Sequence, residues 1–280
     1  MAGKLYVVGT PIGNLNDFTP RQRETLETVD FIAAEDTRVT VKLLNHFEIK
    51  KPLVSYYEHN LRERGEQIIA RIEGGEDCAV VSDAGMPCIS DPGEDLVRLC
   101  AERGIETVVV PGPSALIAAL CVSGLVTSRF CFEGFLSTAK KSRREHLDAL
   151  KGETRTMIFY EAPHKLLTTL GDLYEAFGDR RISIARELTK IHEEILRLTL
   201  SEAIAHFTET TPRGEFVLVL EGAKPEEAGE EITLADAIAR ARKLVEAGER
   251  PTDAAKAVAK ELPFKRGEIY AGLLGNDGED

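Results

Sequence analysis

The residues best suited to hold a ligand stand in one loop, residues 82–93, which reads S-D-A-G-M-P-C-I-S-D-P-G. The apolar run 78–81 before it is typical of a strand that is buried on both faces of a parallel sheet. Small residues let a ligand approach the backbone, and Ser82 and Asp83 supply polar side chains where the strand ends. Loops in such units usually have about 2–6 residues. The greater length of this loop favours a binding role over that of a plain connector.

Groups that could move a proton follow two other predicted strands. Glu35 and Asp36 end one strand, and Glu58 and His59 end the next. A carboxylate or an imidazole can act as the base for a weak nucleophile, which typically contributes about 10²–10⁴-fold to the rate. Arg38, close by, could hold a phosphate. Plainer interpretations stay open, because Glu35 and Asp36 could cap the next helix and His59 could be a surface histidine.

These groups need a scaffold, and the first half of the chain predicts a parallel α/β domain. Five apolar runs alternate with amphipathic stretches, which is the pattern of strands joined by crossover helices. Right-handed crossovers would place the carboxyl ends of all five strands at one edge of the sheet. The loops expected at that edge are 9–14, 35–38, 58–60, 82–93 and 111–114. Together they predict a ligand site.

A dinucleotide is not the expected ligand. Gly9, Gly13 and Asp36 imitate the spacing of a dinucleotide-binding fold. However, the stretch G-T-P-I-G-N lacks the G-x-G-x-x-G pattern, and the next helix begins only at Pro20, after an N-cap at Thr19. A ligand without phosphates, bound by backbone groups at several strand ends, fits this pattern better.

The second half of the chain predicts two further parts. A second α/β domain is expected over 124–222, after a first domain over 1–123. Its first helix begins with a run of cations that could bind phosphates or could simply be solvated: Lys140, Lys141, Arg143 and Arg144. Residues 223–231 read as an acidic linker. Residues 232–276 predict a small helical, helix-turn-helix-like module, with Lys265 and Arg266 at the start of its third helix.

Composition limits the class of protein. The 280 residues are 43% hydrophobic and 29% charged, with a net charge of -12, which argues weakly against a nucleic-acid partner. Basic regions nevertheless remain, since 232–276 carries a net charge of +2. No apolar run approaches the roughly 18 residues of a membrane span, and no signal peptide precedes the first strand, so we expect a cytoplasmic protein. No Cys and His cluster has zinc spacing, so no metal is expected.

Six motifs in order resemble those of the tetrapyrrole (class III) methylase superfamily, and within it the branch that methylates small-subunit ribosomal RNA. The resemblance covers nearly the whole chain. Its motifs are V-G-T-P-I-G-N-L, A-E-D-T-R, S-Y-Y-E-H-N, V-V-S-D-A-G-M-P-C-I-S-D-P-G, V-V-P-G-P-S-A and F-Y-E-A-P-H-K. Met86 and Cys88 stand where Thr and Leu are common in the family, a difference that should not alter backbone contacts.

The resemblance implies two α/β domains of tetrapyrrole-methylase type, with S-adenosylmethionine (SAM) in the cleft between them, and a homodimer. It also implies 2′-O-methylation of a cytidine ribose in 16S rRNA near the decoding centre, in free rRNA or in the 30S subunit. The residues expected at the cofactor are Pro11, Ser82, Asp83, Ala84, Met86, Ile89, Ser114, Ala115, Glu161, Ala162 and Gly214. The expected catalytic groups are Glu35, Asp36 and His59. The expected RNA contacts are Arg38, Lys140, Lys141, Arg143, Arg144, Lys265 and Arg266.

Two other functions stay open at this point. One is methylation of a tetrapyrrole or another small molecule on the same scaffold. The other is a non-enzymatic, nucleotide-sensing regulator with a helix-turn-helix. The basic run and the C-terminal helices favour RNA, since a small substrate needs neither. The acidic strand ends count against a sensor, which needs no base beside its ligand.

Overall fold

The computed structural model of the protein describes residues 2–57, 61–224 and 233–274. The chain divides into two compact units, Met1–Gly222 and Ala223–Asp280. His59 and its two neighbours, Glu58 and Asn60, lie outside the described residues, as does most of the predicted linker. The expected division of the first unit at residue 123 stays a prediction.

The first sheet is fully parallel, as the sequence predicts. Its strands run in the order β3-β2-β4-β1-β5. They are β1 (Leu5–Val8), β2 (Phe31–Ala34), β3 (Leu53–Ser55), β4 (Cys78–Val81) and β5 (Thr107–Val110). Every residue of β2 and β4 is buried, which explains why neither strand alternates apolar with polar residues. Because all five strands point the same way, the loops at their carboxyl ends share one edge.

Helices cover both faces of this sheet. They are α1 (Pro20–Thr28), α2 (Thr37–His46), α3 (Leu61–Glu73) and α4 (Glu94–Glu102). A short 3₁₀ helix, Leu15–Asp17, precedes α1. Thr19 caps α1 as expected, and it forms a capping box with Gln22. One apolar core packs Ile68, Ile69 and Leu96 against the sheet. A separate core packs Leu26 and Leu44.

The second sheet is mixed, in the order β6-β7-β10-β8-β9. Its strands are β6 (Phe130–Phe135), β7 (Thr156–Glu161), β8 (Arg181–Arg186), β9 (Glu194–Thr199) and β10 (Phe216–Leu220). Only β6 and β7 pair in parallel among these strands; the other pairs are antiparallel. The helices that pack with it are α5 (Ala115–Ser123), α6 (Lys140–Ala149), α7 (Leu166–Phe177) and α8 (Leu200–Glu209).

Helix α5 connects the two sheets. It follows β5 of the first sheet, yet Leu116, Ala119 and Leu120 pack against Ile158 and Val219 of the second. Buried apolar residues of α6, α7 and α8, among them Leu147, Leu166 and Phe207, fill a separate core. The chain therefore crosses from one sheet to the other within the helix that follows β5, close to the loops at the sheet edge.

The described part of the second unit, residues 233–274, contains three helices, as predicted. They are α9 (Leu234–Glu246), α10 (Pro251–Glu261) and α11 (Arg266–Leu274). Thr233 and Asp236 form a capping box at the start of α9. Ala237, Ala241, Ala254, Val258 and Ile269 form a small core of their own. Within the described ranges, none of the helices in either unit has the length and apolar character required to cross a membrane.

Candidate functional site

A cavity of about 320 Å³ opens at the carboxyl edge of the first sheet, inside the unit 1–222. The β4–α4 loop forms one wall, and the ends of β7, β8 and β10 from the second sheet form another. Its lining comprises Ile12, Asp83, Ala84, Gly85, Met86, Ile89, Ser90, Asp91, Ser114, Ala115, Phe135, Tyr160, Glu161, Ala162, Pro163, Ala185, Leu188, Glu215, Phe216 and Val217. Its size falls in the range of small-molecule sites.

The β4–α4 loop is held by backbone hydrogen bonds to the β1–α1 loop. The N–H groups of Thr10 and Gly85 each donate to the other's carbonyl, over 2.8 Å and 3.1 Å. The Thr10 hydroxyl also donates to the carbonyl of Ser82, at 3.2 Å. Gly85 has a φ of +83°, a backbone conformation that favours glycine. These bonds position Asp83 and Ala84 at the mouth of the cavity.

The β1 and β5 loops approach each other too closely for side chains. A Cβ on Gly9 would lie 2.7 Å from the Cα of Gly112, so glycine is required there. The N–H of Gly112 donates to the sulfur of Met86, at 3.2 Å. Met86 thus ties the β5–α5 loop, which carries Ser114 and Ala115, to the β4–α4 loop.

Four carboxylates gather where β2 and β4 end. The carboxylate of Glu35 accepts a hydrogen bond from the N–H of Asp83, at 3.3 Å. The carboxylate of Asp83 accepts one from the N–H of Asp36, at 3.1 Å. Burial is the main cause that raises the pKa of Glu35 and of Asp83, and the adjacent acids add to it. The two strand ends are therefore linked through acid side chains.

Asp91 has the most perturbed carboxyl group of this cluster and lines the cavity itself. Burial and the negative charge of Glu35 raise its pKa to about 7, although a hydrogen bond from Ser82 opposes the rise. Such a group is a stronger base than an ordinary aspartate, and about half of it is ionised near neutral pH. The sequence motif contained Asp91, but nothing in the spacing singled it out.

Asp36 caps helix α2 and forms an ion pair with Arg38. Its carboxylate accepts from the N–H of Arg38 as the N-cap of α2, at 2.8 Å, and pairs with the Arg38 guanidinium at 2.6 Å. These hydrogen bonds lower the pKa of Asp36 to about 2. The capping interpretation therefore holds for Asp36, and its permanently ionised carboxylate is a weak base. Arg38 remains 86% exposed in this pair.

Glu161 supplies a buried carboxylate at the opposite side of the cavity, with 5% of its surface exposed. It accepts a hydrogen bond from the N–H of Ala162 at 2.8 Å and another from the hydroxyl of Thr169. Aromatic rings complete this wall. Tyr160 contacts the edge of Phe135, and its hydroxyl accepts from the N–H of Leu116 at 3.2 Å.

Most of the residues expected at the cofactor come together in this cavity. Those that line it are Asp83, Ala84, Met86, Ile89, Ser114, Ala115, Glu161 and Ala162. Pro11, Ser82 and Gly214 lie next to lining residues instead. Ser82 is only 2% exposed, and its side chain forms a hydrogen bond with Asp91. Sequence reasoning missed Tyr160, Phe135 and Phe216, whose apolar type gave no functional signal.

The predicted basic run separates into different environments along α6. Lys140, Arg143 and Arg144 line a groove of about 610 Å³ between α6 and α7. Lys141 lies outside this lining, with 89% of its side chain exposed. Arg143 has only 13% of its side chain exposed and pairs with Asp172 at 2.5 Å. Lys265 and Arg266 stand at the start of α11 in the second unit, as expected. Across the described residues, no cluster of side chains has the composition of a metal site.

Comparisons with known proteins agree with this fold. The profile of the Tetrapyrrole (Corrin/Porphyrin) Methylases matches residues 4–204. The chain resembles, among solved structures, diphthine synthase, with a TM-score of 0.60 and 13% identity over 81% of this chain and 93% of that one. It also resembles the uroporphyrin-III-C-methyltransferase of Thermus thermophilus, with a TM-score of 0.55 and 19% identity over 78% and 94%. These likenesses show the fold.

Sequence relatives are much closer. The chain is 52% identical over 271 residues to the ribosomal RNA small subunit methyltransferase I of Synechocystis, covering 96% of both chains. It is 53% identical over 220 residues to the protein of that name from Thermotoga maritima, covering 79% of this chain and 99% of that one. It is 46% identical over 280 residues to the Escherichia coli O157:H7 protein of that name, covering 99% and 96%. The chain therefore belongs to the tetrapyrrole (corrin/porphyrin) methylase family and, within it, to the family of ribosomal RNA small subunit methyltransferase I.

Proposed function

We propose that the protein transfers a methyl group from SAM to the 2′-hydroxyl of a cytidine ribose in 16S rRNA, near the decoding centre. The observation that carries this proposal is the identity of 52% to the ribosomal RNA small subunit methyltransferase I of Synechocystis over 96% of both chains. The cavity at the carboxyl edge, with the basic groove beside it, is consistent with a small cofactor and a large anionic substrate.

The cavity suits SAM, which is a cation with an adenosine end and an amino-acid end. Asp83, Asp91 and Glu161 supply negative charge and hydrogen-bond acceptors. Phe135 and Tyr160 supply apolar surface against which the adenine ring of SAM could pack. Ala84, Gly85, Ser114, Ala115 and Ala162 leave their backbone groups accessible. When bound, the cofactor supplies an activated methyl group.

We propose Asp91 as the general base for the ribose hydroxyl. The hydroxyl is a weak nucleophile, so a base that takes its proton as the oxygen attacks the methyl carbon speeds the reaction. Asp91 lines the cavity, and burial together with the negative charge of Glu35 raises the pKa of its carboxyl group. Glu35 itself stays a candidate, because its pKa is also raised. Asp36 and His59 stay predictions, and the ion pair of Asp36 with Arg38 gives Asp36 a structural use.

Positioning is expected to supply most of the rate. In-line attack requires the ribose and the methyl donor to be held together, which can contribute roughly 7–11 kcal/mol. The bridge between Thr10 and Gly85 and the close contact of Gly9 with Gly112 make the cofactor side of the site rigid. RNA contacts by Arg38, by the cations of α6, and by Lys265 and Arg266 would hold the substrate side.

A small tetrapyrrole substrate is the second candidate, since the family profile bears that name. Relatives that are 43–53% identical carry the name of an rRNA enzyme instead. The basic groove and the C-terminal helices also favour RNA. We further propose a homodimer in the cytoplasm, where a ribosomal substrate resides. Exposed apolar side chains on and after α5 suit a subunit contact, among them Ile117, Val122, Val126 and Phe130.

The decisive experiment supplies methyl-labelled SAM and 30S subunits that lack the modification, followed by mapping of the label. Label on a single cytidine 2′-oxygen of 16S rRNA is the expected result. Parallel reactions contain protein-free 16S rRNA and a porphyrinogen. Label on the porphyrinogen alone would overturn the proposal in favour of the small-molecule candidate. Size-exclusion chromatography with light scattering tests the dimer.

A further inference from the structure

The groove between α6 and α7 collects positive charge in a strongly acidic protein. Its lining contains five Lys or Arg side chains and three Asp or Glu side chains, in a chain with a net charge of -12. The cations are Lys140, Arg143, Arg144, Lys151 and Lys165, and His164 adds an imidazole. A local excess of positive charge in a concave surface attracts an extended anion.

Ion pairs divide these cations into two groups. Arg143 pairs with Asp172 at 2.5 Å, and Asp148 pairs with Lys151 at 2.7 Å and with Arg144 at 3.8 Å. Within the described parts of the chain, Lys140 and Lys165 have no acidic partner. Arg143 therefore braces the groove, whereas Lys140 and Lys165 keep their charge for a ligand.

Lys140 and Lys165 stand at the starts of the two helices, where cations are unfavourable. Lys140 is the first residue of α6 and Lys165 is the N-cap of α7. Neither helix has a side-chain cap or an acid in its first turn. By contrast, α8 and α9 begin with capping boxes that contain acids. Two uncapped helix starts, each with a lysine, open on the same groove and present N–H groups and charge to an anion.

The groove adjoins the cofactor cavity. Ala162 and Pro163 line the cavity, and the next two residues, His164 and Lys165, line the groove. Thr169 lines the groove and donates its hydroxyl to Glu161 of the cavity. A strand whose phosphates occupy the groove would thus pass directly beside the place where a ribose is methylated.

We propose that the α6–α7 groove binds the phosphate backbone of the RNA substrate, with Lys140 and Lys165 as its main contacts. The inference rests on the proposed function and adds Lys165 and His164, which belong to the F-Y-E-A-P-H-K motif but are not among the RNA contacts expected from the sequence. It also separates Lys140 from Lys141, which stands outside the groove beside Glu145.

The test compares Lys140→Glu, Lys165→Glu and the double variant with Lys141→Glu, which makes the same charge change one residue away from Lys140. Binding to 30S subunits is measured over a range of salt concentrations. Each lost phosphate contact should reduce the slope of log K against log salt by about 0.7–0.9. We expect this reduction of the slope for Lys140→Glu and again for Lys165→Glu. The double variant should show the sum of the two reductions, and Lys141→Glu should show a smaller one. SAM affinity, measured by calorimetry, should be unchanged.

The outcomes separate the groove from the proposed function. If the native protein methylates subunits but the double variant keeps its affinity and slope, the groove proposal is overturned while the activity stands. An effect of Lys141→Glu equal to that of Lys140→Glu also overturns it. If the native protein neither binds nor methylates subunits, the proposed function fails first. Lys140→Gln with Lys165→Gln repeats the test should the glutamate variants not fold, as judged by circular dichroism.

Discussion

The hydroxyl of Thr169 donates a hydrogen bond to the buried carboxylate of Glu161 and accepts one from Nη2 of Arg143, at 2.8 Å. Arg143 in turn donates to Asp172 through Nε, at 2.5 Å. A chain of four side chains thus runs from the cavity at the sheet edge to the groove between α6 and α7. Thr169 is the one member that contacts both sides.

Thr169→Val should weaken cofactor binding and destabilise the fold. Valine has nearly the same shape but no hydroxyl, so the carboxylate of Glu161 loses a donor in a buried setting. The expected cost is about 1–3 kcal/mol in the free energy of unfolding, measured by urea denaturation. Thr169→Ser keeps the hydroxyl and is the matched control. Equal stability and SAM affinity in the two variants would show that the hydrogen bond has no such role.

Asp91→Asn should slow methyl transfer by roughly 10²–10⁴-fold if Asp91 takes the proton of the ribose. The native rate under kcat/KM conditions should rise with pH and level off above about 7, because only the ionised carboxylate accepts the proton. The variant should lose this rise and keep its SAM affinity. Glu35→Gln is the comparison that separates the two acids. A pH profile unchanged in Asp91→Asn would remove Asp91 from the reaction.

Asp91→Asn should also change how stability depends on pH. The pKa of Asp91 is raised from 3.8 to about 7, so between these values the folded state holds a proton that the unfolded state has lost. The native protein therefore loses free energy of unfolding as the pH rises through this window. The variant has no such loss, and its advantage over the native protein should grow from pH 4 to pH 7. Urea titrations at several pH values check this, and a constant difference would contradict it.

Asp83→Asn and Asp83→Ala should distinguish two contributions of Asp83 to SAM affinity, its negative charge and its hydrogen bond within the loop. Asparagine can still accept the hydrogen bond from the N–H of Asp36, whereas alanine cannot. We expect both to weaken SAM binding in calorimetry, because both remove a negative charge that faces a cation, and alanine to weaken it further. Unchanged affinity in a folded alanine variant would place Asp83 outside the cofactor site.

A protein that ends at Gly222 should fold and bind SAM but methylate its ribosomal substrate poorly. The unit Met1–Gly222 is compact by itself and contains the whole cavity. The 220 residues aligned with the Thermotoga maritima relative span 99% of that protein and 79% of this chain. The measurement is the methylation rate against subunit concentration, with the loss expected in KM. Identical saturation curves for the two lengths would show that α9, α10 and α11 do not help to bind RNA.

Much of the fold could be predicted because its signals are local. The buried runs of β2 and β4 lack polar residues, and Thr19 and Thr233 carry recognisable caps. The loop 82–93 that lines the cavity was visible for the same reason, since small residues and turn formers are concentrated within it. The resemblance then supplied the residues from other strand ends.

Other parts of the site depend on packing between distant segments. Asp91 becomes basic only because it is buried near Glu35, which is 56 positions earlier in the chain. Lys140 and Lys141 are equivalent in the sequence, yet only Lys140 lines the groove with Lys165. Arg143 resembles its basic neighbours, although Asp172 holds it. No spacing rule encodes these contacts, because they follow from how α6 lies beside α7.

If the groove binds RNA as proposed, the lysines at the starts of α6 and α7 serve binding at a cost in thermal stability. Each places a positive charge at the positive end of a helix dipole, and neither helix start has an acid that would compensate. A charge-reversed protein should therefore melt at a higher temperature than the native one while it binds its substrate less well. Selection for heat resistance alone would replace these two lysines, so their persistence in a lineage would mark continued use of the groove.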